Sequence, residues 1–308
     1  MRRLEADTLR LLYRGRLASC NYDCSYCPFA KRRDSADTLR RDAAELQRFV
    51  AWCEQAPETL AVLFTPWGEG LVRRHYIDAL VRLSHAPRLR RVAIQTNLSS
   101  NLRWLARANT QTLALWCTFH PSQLAQATFL RRLDLLRDAG VRFSVGMVGQ
   151  REDIAAIEAL RRALPGDVYL WINAFDPRPA DYYSTQQIQR LSAVDPHFPR
   201  SLAPPPSLGA DCRAGDTALS VDGDGNVRPC HFVPLPLGNL YDGSFRRHRA
   251  PRACPNAHCD CYIGYMHRRD IGHERYFDQG VLERVMDGWP ASVRQSPAAS
   301  PPLADFAP

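Results

Sequence analysis

Lysine is nearly missing: Lys31 is the single one in a chain of 308 residues with 40 basic side chains. The positive charge therefore belongs to arginine, scattered in pairs such as Arg73-Arg74, Arg90-Arg91, Arg131-Arg132 and Arg161-Arg162. Such scatter is the pattern of solvated helix faces and not of a nucleic-acid-binding stripe, so nucleic acid is not an expected partner despite the net charge of +8. No apolar run approaches the ~18 residues that a bilayer span needs. Glu5 and Asp7 stand where an export signal would be apolar. Both absences predict a cytoplasmic protein that meets no membrane. Thiols stay reduced in that compartment, so the ten cysteines predict metal ligands, catalytic groups or core packing and not a disulfide framework. The 17 Gly and 23 Pro show no period, which excludes collagen-like folds, and a 45% hydrophobic content predicts a packed core.

Apolar, β-branched runs alternate with stretches of helical period. Strands are predicted at 11–17, 60–66, 91–97, 112–120, 142–149 and 168–176, with helices at 37–54, 72–84, 102–108, 123–138 and 154–164. This alternation predicts parallel strands with right-handed crossovers, in an open doubly wound sheet or part of a β/α barrel. Leu46, Phe49, Val50 and Cys53 share one helical stripe, and Cys117 lies between strand hydrophobes, so both cysteines read as core. Pro196, Pro199 and Pro204-Pro205-Pro206 break the pattern. The expected division is a partial barrel at 1–195, a Pro-rich linker at 196–209, a Cys-rich module at 210–272, a helix at 273–290 and a disordered tail at 291–308. The module is poor in apolar runs and so needs a metal or cluster to hold it.

Directly after the first strand comes Cys20-Asn21-Tyr22-Asp23-Cys24-Ser25-Tyr26-Cys27, three thiols on one loop. Structural zinc takes four protein ligands, so these three need a distant fourth if they bind zinc. A four-iron cubane held by three thiolates instead leaves one iron open to a non-protein ligand.

This loop resembles that of the radical S-adenosylmethionine superfamily, Cys-x3-Cys-x-aromatic-Cys after the first barrel strand, matched at Cys20, Cys24, Tyr26 and Cys27. The resemblance implies a partial (β/α)6 TIM-type barrel and a 4Fe-4S cluster whose open iron binds S-adenosylmethionine (AdoMet). It implies reductive cleavage to a 5'-deoxyadenosyl radical that takes hydrogen from substrate, with Tyr26 near the adenine. Thr65-Pro66-Trp67-Gly68-Glu69-Gly70 is similar to the family's Gly-Gly-Glu-Pro turn for the cofactor's ammonium; Gly68 and Glu69 carry over, while Trp67 and Gly70 depart from it. Asn97 matches a Thr-Asn-Gly element in which Leu98 replaces the glycine; read alone, Asn97 is a helix cap. Thr118 and His120 share one face at the end of the fourth strand, and Gly149 matches a backbone element that supports adenine. His120 and Asp176 are the substrate-side candidates.

Cys212, twelve residues, Gly225, four residues and Cys230 fit the signature of the SPASM and twitch extensions of this superfamily. Asp222-Gly223-Asp224-Gly225-Asn226 is strong hairpin chemistry that returns Cys230 toward Cys212. It lacks the distal glutamate of a calcium loop. Cys254, Cys259 and Cys261 follow, giving five cysteines for an auxiliary 4Fe-4S cluster that needs four, or for zinc held by four of them or by three plus His258 or His267. The resemblance implies a reductant such as flavodoxin or ferredoxin. It leaves the substrate open among a peptide, a protein side chain and a small molecule. Only nineteen residues precede Cys20, too few for a separate leader-binding domain. A zinc-stapled binding protein and an iron-sulfur electron carrier are the alternatives.

Overall fold

The computed structural model describes residues 8–29, 33–176, 179–259, 267–277 and 282–286; Cys261 and the expected tail at 291–308 lie outside the described residues. The chain runs β1 (Leu9–Arg14), α1 (Ala36–Gln55), β2 (Leu60–Phe64), α2 (Arg74–Ser84), β3 (Leu89–Thr96), β4 (Leu113–Thr118), α3 (Gln126–Asp138), β5 (Arg142–Gly149), α4 (Ile154–Ala163) and β6 (Leu170–Ala174). β1 to β6 are neighbours in that order and pair in parallel. The architecture is the partial (β/α)6 barrel that the resemblance implies, one of the two arrangements the alternation allows. Every residue of β2 is buried, as a strand covered on both faces must be. The crossover predicted as a helix at 102–108 is a 3-10 helix, Arg103–Arg107, flanked by turns at Asn97 and Asn109.

Side-chain alternation sorts the sheet into two faces. Tyr13 of β1 packs on Phe49 of α1, ring centroids 4.3 Å apart, and Phe64 of β2 packs on Tyr76 of α2 at 6.0 Å. The opposite face carries Arg10, Leu12 and Arg14. The described C-terminal residues return to this second face. The Ser144 hydroxyl donates to the Glu283 carbonyl at 2.6 Å, the Glu283 carboxylate lies 3.2 Å from Arg91, and the Arg284 guanidinium lies 4.8 Å from Trp116 and 4.9 Å from Trp171. These contacts make a packed floor below the strand ends.

After β6 the chain forms α5 (Thr185–Val194), α6 (Phe198–Leu202), β7 (Asp211–Cys212), β8 (Ala218–Asp222), β9 (Asn226–Arg228), β10 (Gly238–Asn239), α7 (Phe245–His248), β11 (Arg252–Ala253) and α8 (Glu274–Phe277). β8 pairs in parallel with β1, Leu12 opposite Ser220, and β9 and β10 extend the sheet to nine strands. At the other border, the amides of β6 are capped by side chains instead of a strand: Ile172 N–H donates to Asp195 at 2.7 Å and Ala174 N–H to Ser201 Oγ at 3.1 Å. An edge so covered recruits no further strand. Among the described residues no helix is long and apolar enough to cross a membrane.

This capping segment generates a pH prediction. The buried His197 ring accepts a 2.6 Å bond from Arg200, and burial together with Arg200 and Arg284 lowers its pKa to about 3. Between that value and the unfolded imidazole's ~6.5 the unfolded chain binds one more proton, so stability falls as pH falls through this window, by at most about 1.4 kcal/mol per pH unit. Replacing His197 by Gln, which keeps an acceptor for Arg200, is expected to flatten the melting-temperature profile between pH 6.5 and 4.5; an unchanged slope would assign the acid sensitivity elsewhere.

Candidate functional site

Residues 16–19 lead from β1 to Cys20 and lie along the turn that follows β2. The Leu17 carbonyl accepts from Trp67 N–H at 3.1 Å and Gly68 N–H at 3.3 Å, and the Ser19 carbonyl accepts from Glu69 N–H at 3.2 Å. Gly68 has to be glycine for this approach, because a Cβ there would stand 2.0 Å from the Ser19 oxygen. Glu69 then ties the turn to the end of β3. One carboxylate oxygen accepts from Leu71 N–H and from the Thr96 hydroxyl, both at 2.8 Å, and the other from Asn97 N–H at 2.6 Å. Burial raises the Glu69 pKa against the lowering effect of these three donors.

Asn97 closes the third side. Its amide donates to Asn21 Oδ1 at 3.1 Å and toward Cys20 Sγ at 3.7 Å, while its own oxygen accepts from Ser99 N–H at 2.9 Å. It joins the cysteine loop and begins no helix at residue 98. Leu98, where the glycine of the resembled motif falls, has φ 55 and is wholly buried. The backbone is left-handed here although no glycine supplies it, a conformation costly for a side-chain-bearing residue.

The loop itself turns on a 3.0 Å bond from Cys27 N–H to the Cys24 carbonyl. Cys20, Cys24 and Cys27 are in no disulfide. Tyr22 N–H donates to Cys20 Sγ at 3.4 Å, and burial raises the pKa of that thiol. Tyr26 meets His120 twice, as a near-parallel ring pair at 5.9 Å and through a 2.7 Å bond from its hydroxyl to Nδ1. The same nitrogen lies 3.5 Å from Cys24 Sγ. Burial lowers the His120 pKa to about 4. His120 is thus engaged with the loop, whereas Asp176 is exposed two residues past β6. Thr118 ends β4 opposite Gly146. Gly149 ends β5 where a Cβ would lie 2.9 Å from Ile172, and its carbonyl accepts from the Tyr183 hydroxyl.

The second cysteine set gathers as its hairpin requires. Gly225 at φ 84 and the 2.9 Å bond from Asn226 N–H to Asp222 turn β8 into β9. β7 pairs with β11, placing Cys212 opposite Arg252. Cys212, Cys230, Cys254 and Cys259 all line one cavity of about 40 Å³. Four soft sulfur donors around one space fit a cluster or a thiophilic metal. Among the described residues no three His, Cys, Asp or Glu side chains close to the spacing of a single bound ion. His231, next to Cys230, reaches Ser220 Oγ of β8 at 2.6 Å and Thr65 Oγ1 after β2 at 3.4 Å. This ring connects the second cysteine set to the turn beside the first.

Sequence reasoning missed His231, Asp34, Asp42 and His75, which belong to no motif. Gln123 is another: it pairs with the Asp23 backbone in both directions, at 3.2 and 3.4 Å.

No known family's sequence profile matches the chain, and no curated protein does. Solved structures do. The AdoMet-bound form of anSMEcpe aligns with a TM-score of 0.50 at 14% identity, over 78% of this chain and 83% of that one. SuiB of Streptococcus suis aligns with a TM-score of 0.52 at 14% identity, over 79% of this chain and 65% of SuiB. anSMEcpe with AdoMet and the Kp18Cys peptide aligns with a TM-score of 0.50 at 13% identity, over 80% and 81%. At such identities the likeness is one of fold.

The close approach at Gly68 is directly testable. Gly68→Ala is expected to force residues 16–19 and 67–69 apart and to cost about 1–3 kcal/mol in urea denaturation, the range for overpacking a tight contact; a fully stable variant would show that the two segments are not held together.

Proposed function

We propose that this chain, which has the fold of the radical S-adenosylmethionine enzymes, reductively cleaves AdoMet at a 4Fe-4S cluster held by Cys20, Cys24 and Cys27. One observation carries the reading: the three-cysteine loop leaves β1 beside both the Gly68-Glu69 turn and Asn97, whose amide is aimed at Cys20. The thiol donor set fits such a cluster, with three sulfurs on one loop and N–H groups directed at the first of them. Cys20, Cys24 and Cys27 would hold such a cluster, which would supply the electron for reductive cleavage of AdoMet and so for hydrogen abstraction from substrate.

The remaining roles belong to side chains and backbone. Glu69 accepts from Leu71 N–H, the Thr96 hydroxyl and Asn97 N–H, so its task is to hold the turn whose backbone faces the cofactor's amino end. Tyr26, steadied by His120, forms a wall for the adenine. Asn97, Thr118 and Gly149 stand at successive strand ends, the edge at which β/α barrels carry their chemistry. The floor of Trp116, Trp171 and Arg284 closes the far side. Cys212, Cys230, Cys254 and Cys259 hold an auxiliary cluster, with Cys261 as a further thiol of that region.

The protein acts in the cytoplasm with a flavodoxin or ferredoxin as reductant. Its substrate is a peptide, a protein side chain or a small molecule held between barrel and module; the peptide bound by anSMEcpe, a protein of the same fold, supports the first of these.

Anaerobically purified protein is expected to be brown, to bleach with dithionite and to hold about eight irons per chain. With AdoMet and dithionite it should release 5'-deoxyadenosine. Cys24→Ala should abolish release and Cys53→Ala should not, since Cys53 is buried in the helix-packed core. Cys230→Ala should lower iron to about four per chain. Colourless zinc protein would contradict the proposal, as would colour without nucleoside release, the behaviour of an electron carrier.

A further inference from the structure

The carbonyl side of residues 16–19 is bonded to the Gly68-Glu69 turn, and the amide side is bonded just as fully. Asp42 Oδ1 accepts from Arg16 N–H at 2.7 Å and from Leu17 N–H at 3.0 Å. Asp34 Oδ2 accepts from Ala18 N–H and Ser19 N–H, both at 2.8 Å, and from the Ser19 hydroxyl at 2.9 Å. Four consecutive amides immediately before Cys20 therefore end on two carboxylates. The next crossover adds two contacts: His75 Nε2 lies 2.9 Å from Asp42 Oδ2, and Arg73 donates to Ser19 Oγ at 2.9 Å. Asp42 is wholly buried, and a Cβ at Gly15 would stand 2.5 Å from its Oδ1. A carboxylate placed in a helical crossover for solubility would be hydrated; these two face inward onto backbone.

We infer that Asp34 and Asp42 are positioning residues that set the register between the Cys20 loop and the Gly68-Glu69 turn. The segment 16–19 is a rail with one edge bonded to the turn and the other to the carboxylates. Releasing the carboxylate edge lets Cys20 shift relative to Glu69 and Asn97 without touching any proposed ligand. The inference rests on the proposed function for its catalytic consequence, and on the hydrogen bonds alone for its structural one.

Asp34 is the better probe, being only partly buried, because loss of the wholly buried Asp42 carboxylate risks the fold. Its bonds to Ala18 N–H, Ser19 N–H and the Ser19 hydroxyl fall on one oxygen, so Asn can keep these three and Ala cannot. In Asp34→Ala, amide hydrogen exchange at Ala18 and Ser19 should speed by about tenfold or more, while that at Arg16 and Leu17 changes by less than about twofold. The KM for AdoMet should rise by about fivefold or more, with iron content retained. Asp34→Asn should restore both readouts.

Unchanged exchange in Asp34→Ala would overturn the inference, as would an unchanged KM in active enzyme or a defect that Asn does not rescue. The exchange experiment needs no cofactor. A wild-type chain that never cleaves AdoMet would sink the functional reading, while the exchange pattern still decides whether the carboxylates hold the rail.

Discussion

β1 is hydrogen-bonded by a parallel strand on each side, β2 on one and β8 on the other, and this double pairing fixes where the proposed ligands can lie. Parallel strands deliver their C-terminal ends to a common edge. The cysteine loop after β1, the glycine-glutamate turn after β2, Asn97 after β3 and His120 after β4 therefore meet without long-range searching. A slip of β1 by one residue against β2 would turn Arg14 toward the helices and move Cys20 off the turn. Pairing with β8 ties the second cysteine region to this sheet through the β8–β9 hairpin that precedes Cys230, while Cys212 lies in the separate β7–β11 pair.

Around that scaffold the polar interior is arranged by acceptors that backbone amides saturate. Glu69 joins β2 to β3, Asp42 and Asp34 hold residues 16–19, and Asp195 caps the border at β6. In each case a carboxylate replaces the strand partner or water that a loop amide would otherwise need. The result is a rigid rim around a site whose thiols share loop, turn and strand-end neighbours.

Much of this was legible in residue patterns. The alternation of apolar runs and helical periods located six parallel strands because both faces of each strand are covered, which demands long apolar segments. The three-cysteine loop was readable because its thiols are local. The Gly68 approach and the positive φ at Leu98 were half-visible: the motif positions could be identified, but the Ser19 carbonyl that excludes a side chain at 68 comes from a segment 49 residues away. Asp34, Asp42 and His75 left no trace, since an acidic residue in a solvated crossover and one turned inward onto amides look alike in sequence. β8 was hidden for a different reason. Its five residues, ALSVD, lie in a Cys-rich stretch, and nothing local says that Leu219 and Val221 pair with the far amino terminus.

The central claim is that Cys20, Cys24 and Cys27 leave one iron for AdoMet to occupy. Electron-nuclear double resonance on the dithionite-reduced protein, mixed with AdoMet labelled with 15N in its amino group and 17O in its carboxylate, tests this most directly. The account predicts hyperfine coupling of both labels to the cluster, lost in Cys24→Ala. A paramagnetic cluster with neither coupling, or a diamagnetic zinc ion at the loop, would contradict it.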